Sequence, residues 1–377
     1  MKKILFFIES LAGGGAEKVL TDIVSNLDSK KYDITVCTVT DEDVYQEQVE
    51  TVCKYRSFLH KKNYRAGGLK KVIFWFGIKL IYMLPVAVVY KLFIKEKYDI
   101  EVAFVEGFAT KLIASSRNPS SDKIAWVHTN MMNNPHADSL YKNIEEHKKA
   151  YNNYHHIVCV SHSVKDAFLD KFSITENLLV QYNPVDEEKI MEKGKELLEE
   201  RVSNYPVLCT VGRLEEVKGY RRLLKISKQL IREGFLFELW IIGDGSQKDE
   251  FQEYVSENDL TKYIKLLGYQ KNPYKYIYSS DAFICSSYEE GFSTAATESL
   301  ILGKPIFTVE CAGMRELFDN TKCGEIVENS DEALYEMLKR IVSKKKYIKA
   351  FQTNVLKRSC DFKLSERIHE IDNLLSM

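Results

Sequence analysis

The sequence predicts two doubly wound α/β domains in tandem, on three observations. Short apolar runs alternate with helical periodicity along the whole chain, the series starts afresh near residue 207, and 377 residues are enough for two domains of ordinary size. A strand covered by helices on both faces reads as a continuous apolar run, so each sheet is expected to be parallel. The expected division is 1–186 and 187–355 for two Rossmann-like domains facing a central cleft. Residues 356–377 are expected as a C-terminal helix packing back toward the first domain.

The first domain opens with the strand Ile4–Ile8, followed by Gly13-Gly14-Gly15. Lys2-Lys3 before it imitates a signal peptide, but the apolar run is short and Glu9 ends it. Val19, Leu20, Ile23, Val24 and Leu27 then recur at helical spacing. Ile34–Val39, Ile100–Val105, Ile124–His128 and Ile157–Ser161 read as further strands. A polar helix, Asp186–Arg201, joins the domains. The second series runs Val207–Val211, a helix over Tyr220–Arg232, Phe237–Ile242, Ile264–Leu267, Ala282–Cys285, a helix over Ser293–Leu302, and Pro305–Val309.

Composition narrows the function classes. A chain that is 45% hydrophobic and 28% charged is ordinary globular protein, not a disordered tail, a collagen-like rod or a disulfide miniprotein. A net charge of −1 excludes a wholly basic nucleic-acid binder. The eight cysteines have neither C-x-x-C nor zinc spacing. Cys37, Cys159, Cys209 and Cys285 lie inside apolar runs and read as packed thiols, which points to the cytosol. No apolar run reaches the roughly 18 residues of a membrane span.

Ligands of doubly wound sheets bind beyond the carboxyl ends of the strands, so the residues after each strand are the candidates. Gly13-Gly14-Gly15 lets backbone approach an anion at a helix start, although Lys18 replaces the third glycine of G-x-G-x-x-G and a plain tight turn would look the same. Arg213 and Lys218, after Val207–Val211, suit a diphosphate, or are solvated surface charges. In Glu289–Glu298, Ser293 is a good N-cap, and the free N–H groups around Thr294 could hold a phosphate. Glu298 shares a helix face with Thr294, where it could accept hydrogen bonds from sugar or ribose hydroxyls. His128 ends a strand of the first domain, where a lone histidine is more often structural than catalytic. Asp41-Glu42-Asp43 is formally D-x-D but follows the second strand and reads as a solvated loop.

Taken in order, these residues resemble the retaining glycosyltransferases of GT-B fold, of the family 4-like, group 1 type, that build bacterial capsule, exopolysaccharide and O-antigen. The resemblance runs through Gly13–Glu17, Val160-Ser161, Asn183-Pro184-Val185-Asp186, Val211–Leu214, Lys218-Gly219, Gly243-Asp244-Gly245, Glu290–Glu298, Gly303-Lys304-Pro305 and Ala312-Gly313. Asn183-Pro184 departs from the commoner Asn-Gly. The resemblance implies that Glu290 contacts the transferred sugar, Glu298 the ribose, and Arg213 and Lys218 the departing diphosphate. Gly291, Phe292, Ser293 and Thr294 would complete the donor site. Gly14 and Gly15 would close on the donor phosphates and the acceptor, and His128 would sit near the anomeric carbon. It implies a nucleotide diphosphate sugar, commonly of UDP, as substrate, with no cofactor and no metal. A sugar-nucleotide epimerase, a nicotinamide oxidoreductase or a non-catalytic nucleotide-sugar-binding protein are the competing readings.

One stretch stands apart. Thr51–Lys95 holds ten basic residues and no acidic one, interleaved with aromatic and aliphatic side chains. Lys61, Lys62, Lys70, Lys71 and Trp75 in it suit an anionic leaflet, while a buried helix with snorkelling lysines is the alternative. No nucleic-acid recognition motif accompanies them. The expected partners are thus a nucleotide sugar, a polyprenyl-diphosphate-linked saccharide and the inner face of the cytoplasmic membrane.

Overall fold

The computed structural model describes residues 1–65, 68–133, 135–198, 205–344 and 346–377. It falls into two compact units: Met1–Pro184 with Ser365–Met377, and Val185–Leu364.

The first unit is built on seven strands: β1 (Lys2–Phe7), β2 (Tyr32–Thr40), β3 (Lys54–Leu59), β4 (Ile100–Ala103), β5 (Asp122–Val127), β6 (His156–Cys159) and β7 (Leu178–Val180). They lie in the order β3-β2-β1-β4-β5-β6-β7, every pair parallel. The apolar runs of the central strands are buried, with Phe6, Phe7, Phe104 and Trp126 among the largest fully buried side chains. The second unit carries β8 (Val207–Val211), β9 (Glu238–Ile242), β10 (Ile264–Gly268), β11 (Ala282–Cys285), β12 (Ile306–Val309) and β13 (Gly324–Val327). Their order is β10-β9-β8-β11-β12-β13, again all parallel. Two apolar clusters fill this unit, built on Leu208, Leu223 and Phe307 in one and Cys209, Trp240 and Phe283 in the other.

Three strands escape the sequence reading: β3, β7 and β13. Each lies at a sheet edge, and none carries an uninterrupted buried run. β3 therefore stands inside the basic stretch, where Lys54 pairs with Asp33 at 2.8 Å and Arg56 with Glu96. The junction helix is Glu187–Gly194, shorter than expected; the expected end at Arg201 lies outside the described residues.

The chain returns to the first unit at Ser365 rather than at residue 356. The helix Gln352–Ser359 stays on the second unit, with Val355 buried and the Arg358 Nε donating to the Leu317 carbonyl at 2.9 Å. The last helix, Leu364–Ser376, buries Ile371, Leu374 and Leu375. Its Asp372 accepts from Lys31 at 2.7 Å and from the Tyr32 hydroxyl at 2.8 Å. No helix among the described residues is long and apolar enough to cross a membrane.

Candidate active site

Each sheet reverses its direction of winding once, between β1 and β4 in the first unit and between β8 and β11 in the second. The connections leaving those neighbouring strands diverge to opposite sides, which opens a crevice for ligands at their carboxyl ends.

In the second unit, β8 leads through a tight turn, Glu216–Lys218, into the helix Tyr220–Arg232. Gly219 between them has φ +65°, and a Cβ there would stand 2.0 Å from the Ser286 carbonyl oxygen. Only glycine allows that approach, which presses the β8 connection onto the β11 connection. Lys218 Nζ consequently reaches Glu290 Oε1 at 2.7 Å, and the Ser287 hydroxyl donates to the same oxygen at 2.6 Å. Burial, the largest influence, pulls the Lys218 ammonium down. The Glu290 charge and hydrogen bond outweigh it, and Lys218 ends above its ordinary value. A small cavity here is lined by Lys218, Tyr220, Ser287, Glu290 and Ser293. Arg213 is exposed nearby, and its charge is felt at Lys218.

The helix Thr294–Ile301 follows, with the Ser293 hydroxyl accepting from the Ala296 N–H at 3.4 Å. Glu298 is buried on it and takes the Tyr274 hydroxyl at 3.3 Å on Oε1. Gly291 and Phe292 lie against Gly313, whose Cβ would be 2.5 Å from the Gly291 carbonyl oxygen. The structure thus gathers Lys218, Glu290 and Ser293 around one cavity and sets Glu298 on the helix behind them.

Sequence reasoning missed the clamp behind this site. Arg222 is buried, and its Nη2 donates to the Ser286 carbonyl at 2.7 Å, the Ser287 carbonyl at 3.1 Å and Asn329 Oδ1 at 2.7 Å. Asn329 Nδ2 adds bonds to the Tyr288 and Glu310 carbonyls at 3.1 and 3.0 Å. Together they hold the loop that delivers Glu290. Nothing local separates Arg222 from Arg221, which pairs with Glu250 at the surface.

In the first unit, His128 follows β5. Burial pushes its imidazole down to about 4 against the opposing pull of the Phe104 carbonyl, so the ring is neutral at pH 7. Its Nε2 is shielded from solvent without a hydrogen-bond partner among the described residues. Glu106, after β4, steadies this turn: its Oε1 accepts the His128 and Thr129 N–H groups at 2.5 and 2.6 Å. Gly14 and Gly15 begin the helix Gly15–Asn26. The Glu17 carboxylate lies over Gly14, 2.2 Å from where a Cβ would be, so a phosphate brought there would meet that negative charge.

Asp41-Glu42-Asp43 is not a solvated loop. Asp43 accepts the Leu11 N–H at 2.9 Å and pairs with Lys61, and Asp41 accepts the Lys61 N–H at 2.6 Å. Lys61 thereby steadies a loop instead of facing solvent freely. Lys62, Lys70, Lys71 and Trp75 are exposed. They belong to a helical stretch in which the helix Gly68–Met83 buries only Phe74 and Ile81. No group of three or more His, Cys, Asp or Glu suited to a metal occurs among the described residues.

Comparison with known proteins bears on the family and the fold. Residues 13–189 match the family described as Glycosyltransferase Family 4, and residues 195–358 match Glycosyl transferases group 1. The chain is 26% identical, over 96% of both chains, to the Campylobacter jejuni N-acetylgalactosamine-N,N'-diacetylbacillosaminyl-diphospho-undecaprenol 4-alpha-N-acetylgalactosaminyltransferase. It is 22% identical to the Salmonella typhimurium lipopolysaccharide 1,6-galactosyltransferase, covering 86% of this chain and 85% of that one. The crystal structure of Anabaena HepE in complex with UDP and glucose superposes with a TM-score of 0.75 at 18% identity, covering 100% of both chains. With two parallel-sheet units, the switch-point sites and both family matches in place, the chain belongs to the GT-B-fold glycosyltransferases that join a family 4 first domain to a group 1 second domain, and it is a glycosyltransferase.

Proposed function

We propose that this enzyme moves a hexose, with retention and without a metal ion, from a UDP-sugar to a polyprenyl-diphosphate-linked saccharide in surface polysaccharide assembly. The observation that carries the reading is the Lys218–Glu290 pair at the second switch point. Breaking a sugar–diphosphate bond builds negative charge on the leaving group. A cation kept charged while half-buried, with Arg213 beside it, stabilises that charge without a metal. Glu290 meets the transferred sugar, Glu298 the ribose, and the helix start at Ser293 and Thr294 a phosphate. His128, neutral, offers a hydrogen bond to a sugar hydroxyl. Gly14 and Gly15, at a helix start with the Glu17 carboxylate over Gly14, face the acceptor rather than the donor phosphates. The lipid-linked acceptor named for the Campylobacter relative supports the acceptor class.

The exposed face of the helix Gly68–Met83 supports a peripheral place on the inner leaflet. Leu69, Phe76 and Met83 are 74%, 65% and 71% exposed, with Lys70 and Lys71 alongside. Apolar side chains flanked by lysines partition into an anionic interface.

The test is nucleotide release from UDP-glucose, UDP-galactose, UDP-N-acetylglucosamine and UDP-N-acetylgalactosamine, with and without polyprenyl-diphosphate saccharides extracted from bacterial membranes, in buffer and in EDTA. The expected result is acceptor-stimulated UDP release from one donor, unchanged by EDTA, with the donor's anomeric configuration kept in the product. Tight UDP binding without transfer overturns the reading, and strict metal dependence overturns the role given to Arg213 and Lys218.

A further inference from the structure

The switch point of the first sheet carries a carboxylate that none of these roles uses. β1 ends at Phe7 and passes the chain to Glu9, beside the end of β4. Glu9 is half-buried, and the Tyr82 hydroxyl donates to its Oε2 at 2.5 Å. The Phe108 backbone amide also donates to this carboxylate, which is only partly shielded from solvent. Tyr82 comes from the last turn of the helix Gly68–Met83, is 43% exposed, and sets its ring 4.7 Å from that of Phe108. Burial lifts the Glu9 carboxyl above its ordinary range, against the opposing pull of Tyr82, His136 and the Phe108 amide.

Drawing a carboxylate out of water is costly unless partners compensate it, and the Tyr82 hydroxyl and Phe108 amide fill only two of its roughly four lone-pair sites. The remaining lone pairs accept hydrogen bonds, and the carboxylate donates none while ionised, so it suits hydroxyls and repels phosphate. A partly exposed aromatic ring beside it gives an apolar face for the C–H side of a pyranose. Carboxylate and ring together have the chemistry of a sugar subsite.

We propose that Glu9 and Tyr82 form the subsite for the acceptor sugar, with the Glu9 carboxylate receiving a hydroxyl and Tyr82 holding it in place. This rests on the glycosyltransferase reading above. Tyr82 lies on the helix that presents Trp75 and Phe76 to solvent, seven residues and about 10 Å along its axis from Trp75. The subsite therefore suits a sugar close to its lipid anchor.

The experiment compares the full-length enzyme with Glu9→Gln and Tyr82→Phe. It measures transfer to the extracted polyprenyl-diphosphate saccharides at saturating donor, UDP binding by calorimetry, and thermal melting. Glu9→Gln is expected to raise the acceptor KM about tenfold, since the hydrogen bond loses its charged acceptor and an amide N–H replaces one acceptor oxygen. Tyr82→Phe, which keeps the ring, is expected to raise it a few-fold. UDP affinity should stay within about twofold in both. An unchanged acceptor KM in an active enzyme overturns the subsite, as does an equal weakening of UDP and acceptor. If Glu9→Gln melts early, Tyr82→Phe decides alone. A wild-type enzyme that transfers to no acceptor overturns the donor–acceptor reading and the subsite together, an outcome distinct from unaltered variants of an active one.

Discussion

Lys218 and Glu290 show what a largely shielded ion pair accomplishes beside the cavity at the second switch point. Burial alone would drive the ammonium toward neutrality, and Glu290 holds it charged. Glu290→Gln should lower kcat by about 10²-fold while UDP affinity changes only a few-fold, checked by steady-state kinetics and calorimetry. His147 gives a residue-scale test of stability. Its ring is buried, stacks 3.9 Å from Tyr141 and bonds Asp138 through Nδ1 at 3.1 Å. Burial pushes it down to about 4, against the pull of Asp138. Between pH 6.5 and 4 the unfolded chain therefore takes up a proton that the folded chain refuses. The stability tied to the neutral ring is full above pH 6.5 and falls by about 1.4 kcal/mol per unit as pH drops toward 4. Glu9 and Glu106, raised by burial, act in the opposite sense. The measurement is accordingly the difference between wild type and His147→Phe in urea unfolding, with the variant expected to show the shallower acid-side loss.

At the scale of elements, the central strands were legible because a strand buried on both faces needs apolar residues at every position. β8 and β11 have the bounds expected of them. The edge strands β3, β7 and β13 were not, because half of each is open to polar substitution or the strand is too short to show a pattern. The connection after β8 depends on one glycine. Gly219→Ala should destabilise the second unit by about 2–4 kcal/mol in chemical unfolding and weaken UDP binding, since its Cβ meets the Ser286 carbonyl. The helix Gly68–Met83 makes its own prediction. Lys70→Glu with Lys71→Glu should reduce binding to phosphatidylglycerol vesicles about tenfold or more in co-sedimentation, with a loss also in Trp75→Ala.

For the whole molecule, the chain's last helix is part of its first unit. Lys2 and Lys31, at the start of β1 and just before β2, reach Leu375 and Asp372 across more than 340 positions of sequence. Removing residues 365–377 should speed amide exchange in β1 and β2 and lower the melting of the first unit, while exchange in β8–β12 stays as it was. Mass-resolved hydrogen exchange reads both at once.

By itself the sequence determined the periodicities, the central strands, the glycine-bearing connections and the ordered motifs from Gly13 to Gly313 that mark the family. All of these are local: each is set by a few neighbouring residues. Tertiary structure alone decided which of Arg221 and Arg222 is buried, which lysines are paired, that the helix Gly68–Met83 shows its apolar face to solvent, and that Glu9 meets Tyr82. The reason is that burial and pairing depend on which distant segments the fold brings together. Glu9 and Tyr82 are 73 positions apart, and neither one's neighbours in sequence mark it for the other.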